Sequence, residues 1–130
     1  MILKDRNKKD VNFFKSLTFA LNGIRYCFNM EKHYKFHIFA FLLVIILSFL
    51  LKLTTIEFIF ILFVSFLVII TEMLNTCVEV IVDMITKDYN VLAMYAKDLG
   101  AGAVLVSSIL AIIVGLMIFI PKIMRIFIWI

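Results

Sequence analysis

Apolar and polar positions follow a helical period near the start of the chain and then give way to three long apolar runs. Between 12 and 30, Phe13, Leu17, Ala20, Leu21, Ile24 and Phe28 recur at steps of three and four, while Lys15, Asn22 and Arg25 lie off that stripe. This spacing predicts an amphipathic helix over 12–30 suited to a membrane interface, with a soluble-type core helix as the bland alternative. Apolar runs follow at 38–53, 56–85 and 99–120. Each can cross a hydrocarbon core of roughly 30 Å, the first by recruiting the flanking residues at 34–37, read as a turn. With their flanks, the predicted transmembrane helices cover 34–53, 56–85 and 96–120. The link at 52–57 is so short that the first two spans must form an antiparallel hairpin, whereas the link at 86–95 is longer and polar. Residues 1–11 are polar and mixed in charge, with nothing to bury, and read as a flexible tail. The expectation is a single all-α membrane domain over 1–130.

Composition supports the bilayer as solvent, since a mean hydropathy of +1.13 and 65% hydrophobic residues exceed what a soluble domain of 130 residues encloses. The first apolar stretch is interrupted by Lys15, Asn22 and Arg25 and lacks a cleavage pattern, so the N-terminus is expected to be retained. A net charge of +4 raises the question of nucleic acid, but eight of the thirteen Lys and Arg residues precede position 38 on an otherwise lipophilic chain. Anionic lipid headgroups are the better partner, and the same bias puts the N-terminus and the 86–95 link in the cytoplasm, against the two charges of Lys122 and Arg125. Cys27 and Cys77 show no metal-like spacing and suggest no disulfide.

Chemistry enters in the second span, which begins as hydrocarbon over 58–70 and then reads T-E-M-L-N-T-C-V-E-V-I-V-D. Glu72, Asn75, Glu79 and Asp83 are three, four and four residues apart and share one helix face. Three acids on one stripe repel, and Glu72 lies deep enough to cost on the order of 2 to 3 kcal/mol if ionised without a partner. A divalent cation, basic groups or protonation would compensate. The third span opens A-K-D-L-G-A-G-A-V, which sets Lys97 and Asp98 level with Glu79 and Asp83. Lys97 paired with Asp83 or Glu79 as interhelical glue is the structural alternative, although it leaves Glu72, Asn75 and Asp98 unexplained. Gly100 and Gly102 permit close helix approach, and Ala103, Ser107, Ala111 and Gly115 continue a small-residue stripe read as packing. Glu31 is the one acid between Asp10 and Glu57 and lies at the cytoplasmic edge, within reach of Glu79. His33 and His37 lack a third nitrogen ligand and suggest interfacial hydrogen bonding rather than a metal pair. Neither G-x-x-x-x-G-K-[ST] nor G-x-G-x-x-G occurs, so a bound nucleotide would depend on carboxylate-held magnesium and Lys97. Buried carboxylates also suit a proton or cation pathway, but 58–70 and 104–120 carry almost no polar residues, and a structural adaptor would not need Glu72 so deep.

The phrase E-M-L-N-T-C-V-E-V-I-V-D, followed after a short link by A-K-D-L-G-A-G-A-V, closely resembles the prokaryotic diacylglycerol kinase and undecaprenol kinase family, over essentially the whole chain. The resemblance implies a homotrimer with active sites shared between subunits, in a bacterial cytoplasmic membrane, using MgATP to phosphorylate a lipid alcohol. It makes Glu72 the general base with Asn75 as its polar neighbour, and Glu31 and Glu79 the magnesium ligands. Lys97 and Asp98 become nucleotide contacts, with Glu31, Glu79 and Asp83 lining the nucleotide and Asp88, Tyr89 and Asn90 a further contacting stretch. Two positions depart from the diacylglycerol kinase type, Asn12 replacing an arginine and Phe19 a hydroxyl-bearing aromatic. Glu31 followed by His37, with A-K-D-L-G-A-G-A-V-L-V, looks more like the Gram-positive undecaprenol kinase branch, so undecaprenol is the expected acceptor and diacylglycerol the alternative.

Overall fold

A computed structural model of the protein describes residues 13–128, so the tail expected over 1–11 and the departure at Asn12 lie outside the described residues. Four helices follow one another: α1 (Phe13–Met30), α2 (Lys32–Leu50), α3 (Thr55–Ile85) and α4 (Val91–Ile128), with no strand among the described residues. The last three are long and apolar enough to cross a membrane. The chain is thus a multi-pass, all-helical membrane protein.

Each boundary has a local cause. Between α1 and α2 the break is a single residue, Glu31, held extended at φ −102° and ψ 119°. The helix resumes at Lys32, so the residues at 34–37 expected as a turn are its first turns, and Tyr34 is buried. The α2–α3 hairpin turns through Lys52 at φ +50°. Thr54 then opens α3 with a reciprocal cap, in which its hydroxyl accepts from the Glu57 backbone N–H while Glu57 Oε2 accepts from Thr54 N–H at 2.7 Å. Asn90 starts α4 by accepting from the backbone N–H groups of Leu92 and Ala93 at 2.9 and 3.1 Å, which draws 91–95 of the expected link into the helix. At the other end α4 runs through Pro121 rather than stopping near 120. A membrane helix tolerates the missing N–H, and the apolar residues Ile123, Met124 and Ile126 continue beyond it.

α3 is the central element. Its buried residues Ile61, Val64, Val68, Ile69, Glu72 and Thr76 fall at helical spacing and form one spine, with Ile61 1% exposed. α4 packs along α3 most extensively, and α1 and α2 add Cys27 and Tyr34 in a cluster around Ile69. Three polar clasps fix the antiparallel register of α3 and α4: Asp83 with Lys97 at 2.6 Å, Thr71 Oγ1 with Ser107 Oγ at 2.8 Å, and Glu57 with Lys122 at 2.9 Å. Most large apolar side chains outside the spine are exposed, as expected where lipid is the solvent.

Helix length places the polar residues. At 31 residues, α3 is about 46 Å long, well beyond a hydrocarbon core of roughly 30 Å. Counting from Glu57 at one boundary, Glu72 lies about 22 Å along the axis and Asp83 about 39 Å. Glu72 therefore sits inside the apolar layer near its far edge, while Glu79 and Asp83 rise to headgroup level.

Candidate active site

The polar face of α3 divides by depth. Glu72 is 4% exposed on the helix spine, Asn75 and Glu79 are half-buried, and Asp83 is exposed. Burying a carboxylate is costly without a partner. Glu72 Oε2 has His37 Nε2 of α2 at 4.0 Å, an ion-pair distance when the imidazole carries its second proton. One turn further along, the Thr76 hydroxyl donates to the Glu72 carbonyl oxygen at 3.0 Å and also bonds the Cys27 side chain. Burial nevertheless pushes the Cys27 thiol up from its ordinary value, which keeps it unreactive.

Asn75 bridges the layers. Its Nδ2 donates to Glu79 Oε1 at 3.0 Å, which turns Oδ1 toward α4, where it is buried and has no hydrogen-bond partner. That oxygen fits because residue 100 is glycine: a Cβ there would lie 2.5 Å from Oδ1. A Cβ on Gly102 would meet nothing within 4 Å, so within one chain Gly100 alone carries the close approach expected of both. Ser107, expected as packing, is a buried hydroxyl paired with Thr71 and also donates to the Val104 carbonyl.

Lys97 bonds Asp83, as the glue reading allowed, but with side chains 39% and 64% exposed the pair is screened by solvent and contributes little to stability. An incoming phosphate can redirect Lys97 at little cost. Among the described residues, no hydrogen bond or ion pair ties the remaining expected residues to this cluster. Asp98 is exposed on a separate groove between α3 and α4, of about 680 Å³, lined also by Thr71, Tyr95 and Ser107. Glu31 stands at the α1–α2 break without capping α2, so its carboxylate is not consumed by the helix end. Asp88, Tyr89 and Asn90 lie in the exposed α3–α4 turn, with the Asn90 side-chain oxygen committed to opening α4. Among the described residues no three His, Cys, Asp or Glu side chains form a metal-holding group. Magnesium does not demand one, because it binds through one or two carboxylates completed by phosphate oxygens and water, and Glu31 and Glu79 fit that donor set.

Across the chain, residues 18–119 match the model of the prokaryotic diacylglycerol kinase family. The chain belongs to that family. It is 40% identical over 119 residues to undecaprenol kinase of Bacillus subtilis (strain 168), covering 92% of this chain and 97% of that protein. Similarity extends to diacylglycerol kinase of Synechocystis, 37% identical over 114 residues covering 87% of this chain and 65% of that protein. Diacylglycerol kinase of Escherichia coli (strain K12) is 31% identical over 99 residues, covering 76% of this chain and 81% of its own. For a kinase of this family, the polar end of the α3–α4 pair is, among the described residues, the place where acids, an amide and a lysine meet at the membrane boundary. Ser107 was expected as packing and His37 as an interfacial hydrogen-bonding group; the structure pairs the first with Thr71 and sets the second beside Glu72. The available signal was that both stand on otherwise apolar faces.

Proposed function

We propose that this chain transfers the γ-phosphoryl group of ATP to the hydroxyl of undecaprenol at the cytoplasmic face of a bacterial cell membrane, acting as a homotrimer. That it is a lipid kinase follows from its family; the acceptor, donor, assembly and residue roles are the proposal. The observation that carries it is Glu72, a carboxylate 4% exposed inside the apolar layer, at the foot of a polar face that rises to the headgroups. A lipid hydroxyl at the interface meets such a group from the membrane side, whereas a nucleotide approaches Lys97 from water.

In this mechanism the Glu72 carboxylate takes the proton of the lipid hydroxyl as that oxygen attacks the γ-phosphorus. The new O–P bond forms as the bond from the γ-phosphorus to the β–γ bridging oxygen breaks, and ADP leaves. Asn75 orients Glu79 through its 3.0 Å bond. Lys97 exchanges Asp83 for phosphate oxygens, with Asp83, Asp98, Asp88, Tyr89 and Asn90 around the nucleotide. Magnesium, held by Glu31 and Glu79, would neutralise charge on the triphosphate. α1 lies in the interface, exposing Phe13, Phe14, Leu17 and Leu21 to it. Three spans leave Glu79 half-open and Asp83 exposed, and a second and third copy would wall them off from lipid.

Similarity to the Bacillus subtilis protein over nearly its whole length favours undecaprenol. Radiolabelled phosphate transfer from ATP, run on reconstituted protein with undecaprenol and diacylglycerol side by side, tests the choice. Preferential labelling of undecaprenol is expected; preferential labelling of diacylglycerol would reassign the acceptor, and labelling of neither would remove the proposal.

A further inference from the structure

His37 belongs to no part of the reaction described above, yet it stands where the reaction is most sensitive. It projects from the second turn of α2, its side chain 19% exposed, with Nε2 4.0 Å from Oε2 of a Glu72 side chain that is 6% exposed. Among the described residues it is the one basic group placed at ion-pair distance from that carboxylate. Other neighbours cannot substitute for it. The α4 residues that share its groove, Ser108, Ala111, Ile112, Gly115, Leu116 and Phe119, carry no charge. Cys27 of α1 and Tyr34 of α2 pack in the cluster around Ile69. On α2 itself His33 and Lys35 are exposed. A carboxylate in this setting needs a polar partner to fix its orientation, and His37 is placed to be that partner.

We propose that His37 is a positioning residue for the phosphoryl transfer, its imidazole Nε2 facing the Glu72 carboxylate and holding it aimed at the substrate hydroxyl. This inference rests on the reading of Glu72 as the base. At 4.0 Å the two groups are too far apart for a direct hydrogen bond, so the effect is electrostatic, or becomes a bond on a small rotation of the imidazole.

The test is the split between kcat and KM for ATP in His37→Ala and His37→Gln proteins in bilayers, beside the unaltered protein. Alanine should lower kcat by about tenfold or more with KM for ATP unchanged, and glutamine, which keeps a side-chain donor of similar reach, should regain much of that loss. His37→Leu, which keeps the bulk without a donor, stands in for alanine if that variant proves unstable. A kcat equal to that of the unaltered protein in the variants without a donor, or an equal loss with glutamine, would overturn the proposal. Glu72→Gln separates this failure from failure of the parent reading. If that variant is inactive while the His37 variants turn over normally, the positioning role alone is wrong; if it turns over normally, the base assignment falls and this inference with it.

Discussion

Substituting alanine for Gly100 separates the geometry of the site from the stability of the fold. A Cβ at this position lies 2.5 Å from Asn75 Oδ1 and 3.5 Å from its Cγ, but 3.6 Å from its Cα. The collision is therefore with the end of a side chain rather than with the α3 backbone, and Asn75 relieves it by rotating about 1 Å away, toward ordinary van der Waals separation. Overpacking of this kind costs about 1 to 3 kcal/mol, against a gain of roughly 1 kcal/mol for alanine over glycine inside a helix. Net destabilisation should therefore be small. The functional cost is larger, because rotation of Asn75 breaks its 3.0 Å bond to Glu79. A hydrogen bond to a charged group is worth about 1.5 to 3 kcal/mol, which corresponds to about 10- to 150-fold in turnover if the bond orients Glu79 in the transition state. The assay pairs ATP-dependent lipid phosphorylation with thermal unfolding in the same detergent or bilayer. Loss of turnover with an almost unchanged unfolding midpoint is the expected result, and full activity in the Gly100→Ala protein would refute the reasoning. Gly102→Ala supplies a contrast, since nothing lies within 4 Å of its Cβ inside the chain. A large effect there would report a contact between subunits.

Further outcomes follow from the same structure. Lys97→Met should reduce turnover about 10² to 10³-fold in steady-state kinetics, while Asp83→Asn should leave the unfolding midpoint almost unchanged, because the pair is exposed and in the proposed mechanism Lys97 serves phosphate rather than Asp83. Breaking the distant clasp with Lys122→Met should lower the unfolding midpoint while leaving kcat intact, since Glu57 and Lys122 join α3 to α4 at the opposite membrane face. Cys77 is exposed and Cys27 buried, so a maleimide should label Cys77 first. Because burial raises the Cys27 thiol above its ordinary value of 9.0, the folded state holds that proton more tightly than the unfolded chain. Stability linked to it should be complete below about pH 9 and decline above it, and Cys27→Ala should abolish that component of a pH-resolved unfolding series.

Helical periodicity was sufficient to find all four helices, because each apolar stripe or run is long compared with a turn. Their ends were less readable. The start of α2 at Lys32 was obscured because Lys32, His33, Lys35 and His37 look like a polar turn, although only Glu31 leaves the helical backbone. Asn90 and Pro121 look alike as breakers, yet one opens α4 and the other lies within it. In the site, the stripe of Glu72, Asn75, Glu79 and Asp83 was visible from spacing on one helix. Which of them would be buried was not, since that depends on what α1, α2 and α4 lay against each face. The approach of His37 to Glu72, the choice of Gly100 over Gly102, and the pairing of Thr71 with Ser107 all depend on the rotation of one helix about another, which no single helix's pattern encodes. Among the described residues no hydrogen bond or ion pair joins Glu31, Asp98 or the α3–α4 turn to Glu72 in the single chain, and the proposal therefore invokes further copies.

The central claim is that a carboxylate lodged in the apolar layer takes the proton from the lipid hydroxyl. Single-turnover phosphate transfer from ATP to undecaprenol by the Glu72→Gln protein in bilayers, with ATP affinity measured on the same sample, addresses it most directly. A fall in turnover of about 10² to 10⁴-fold with nucleotide affinity nearly unchanged is predicted; turnover close to that of the unaltered protein would contradict it.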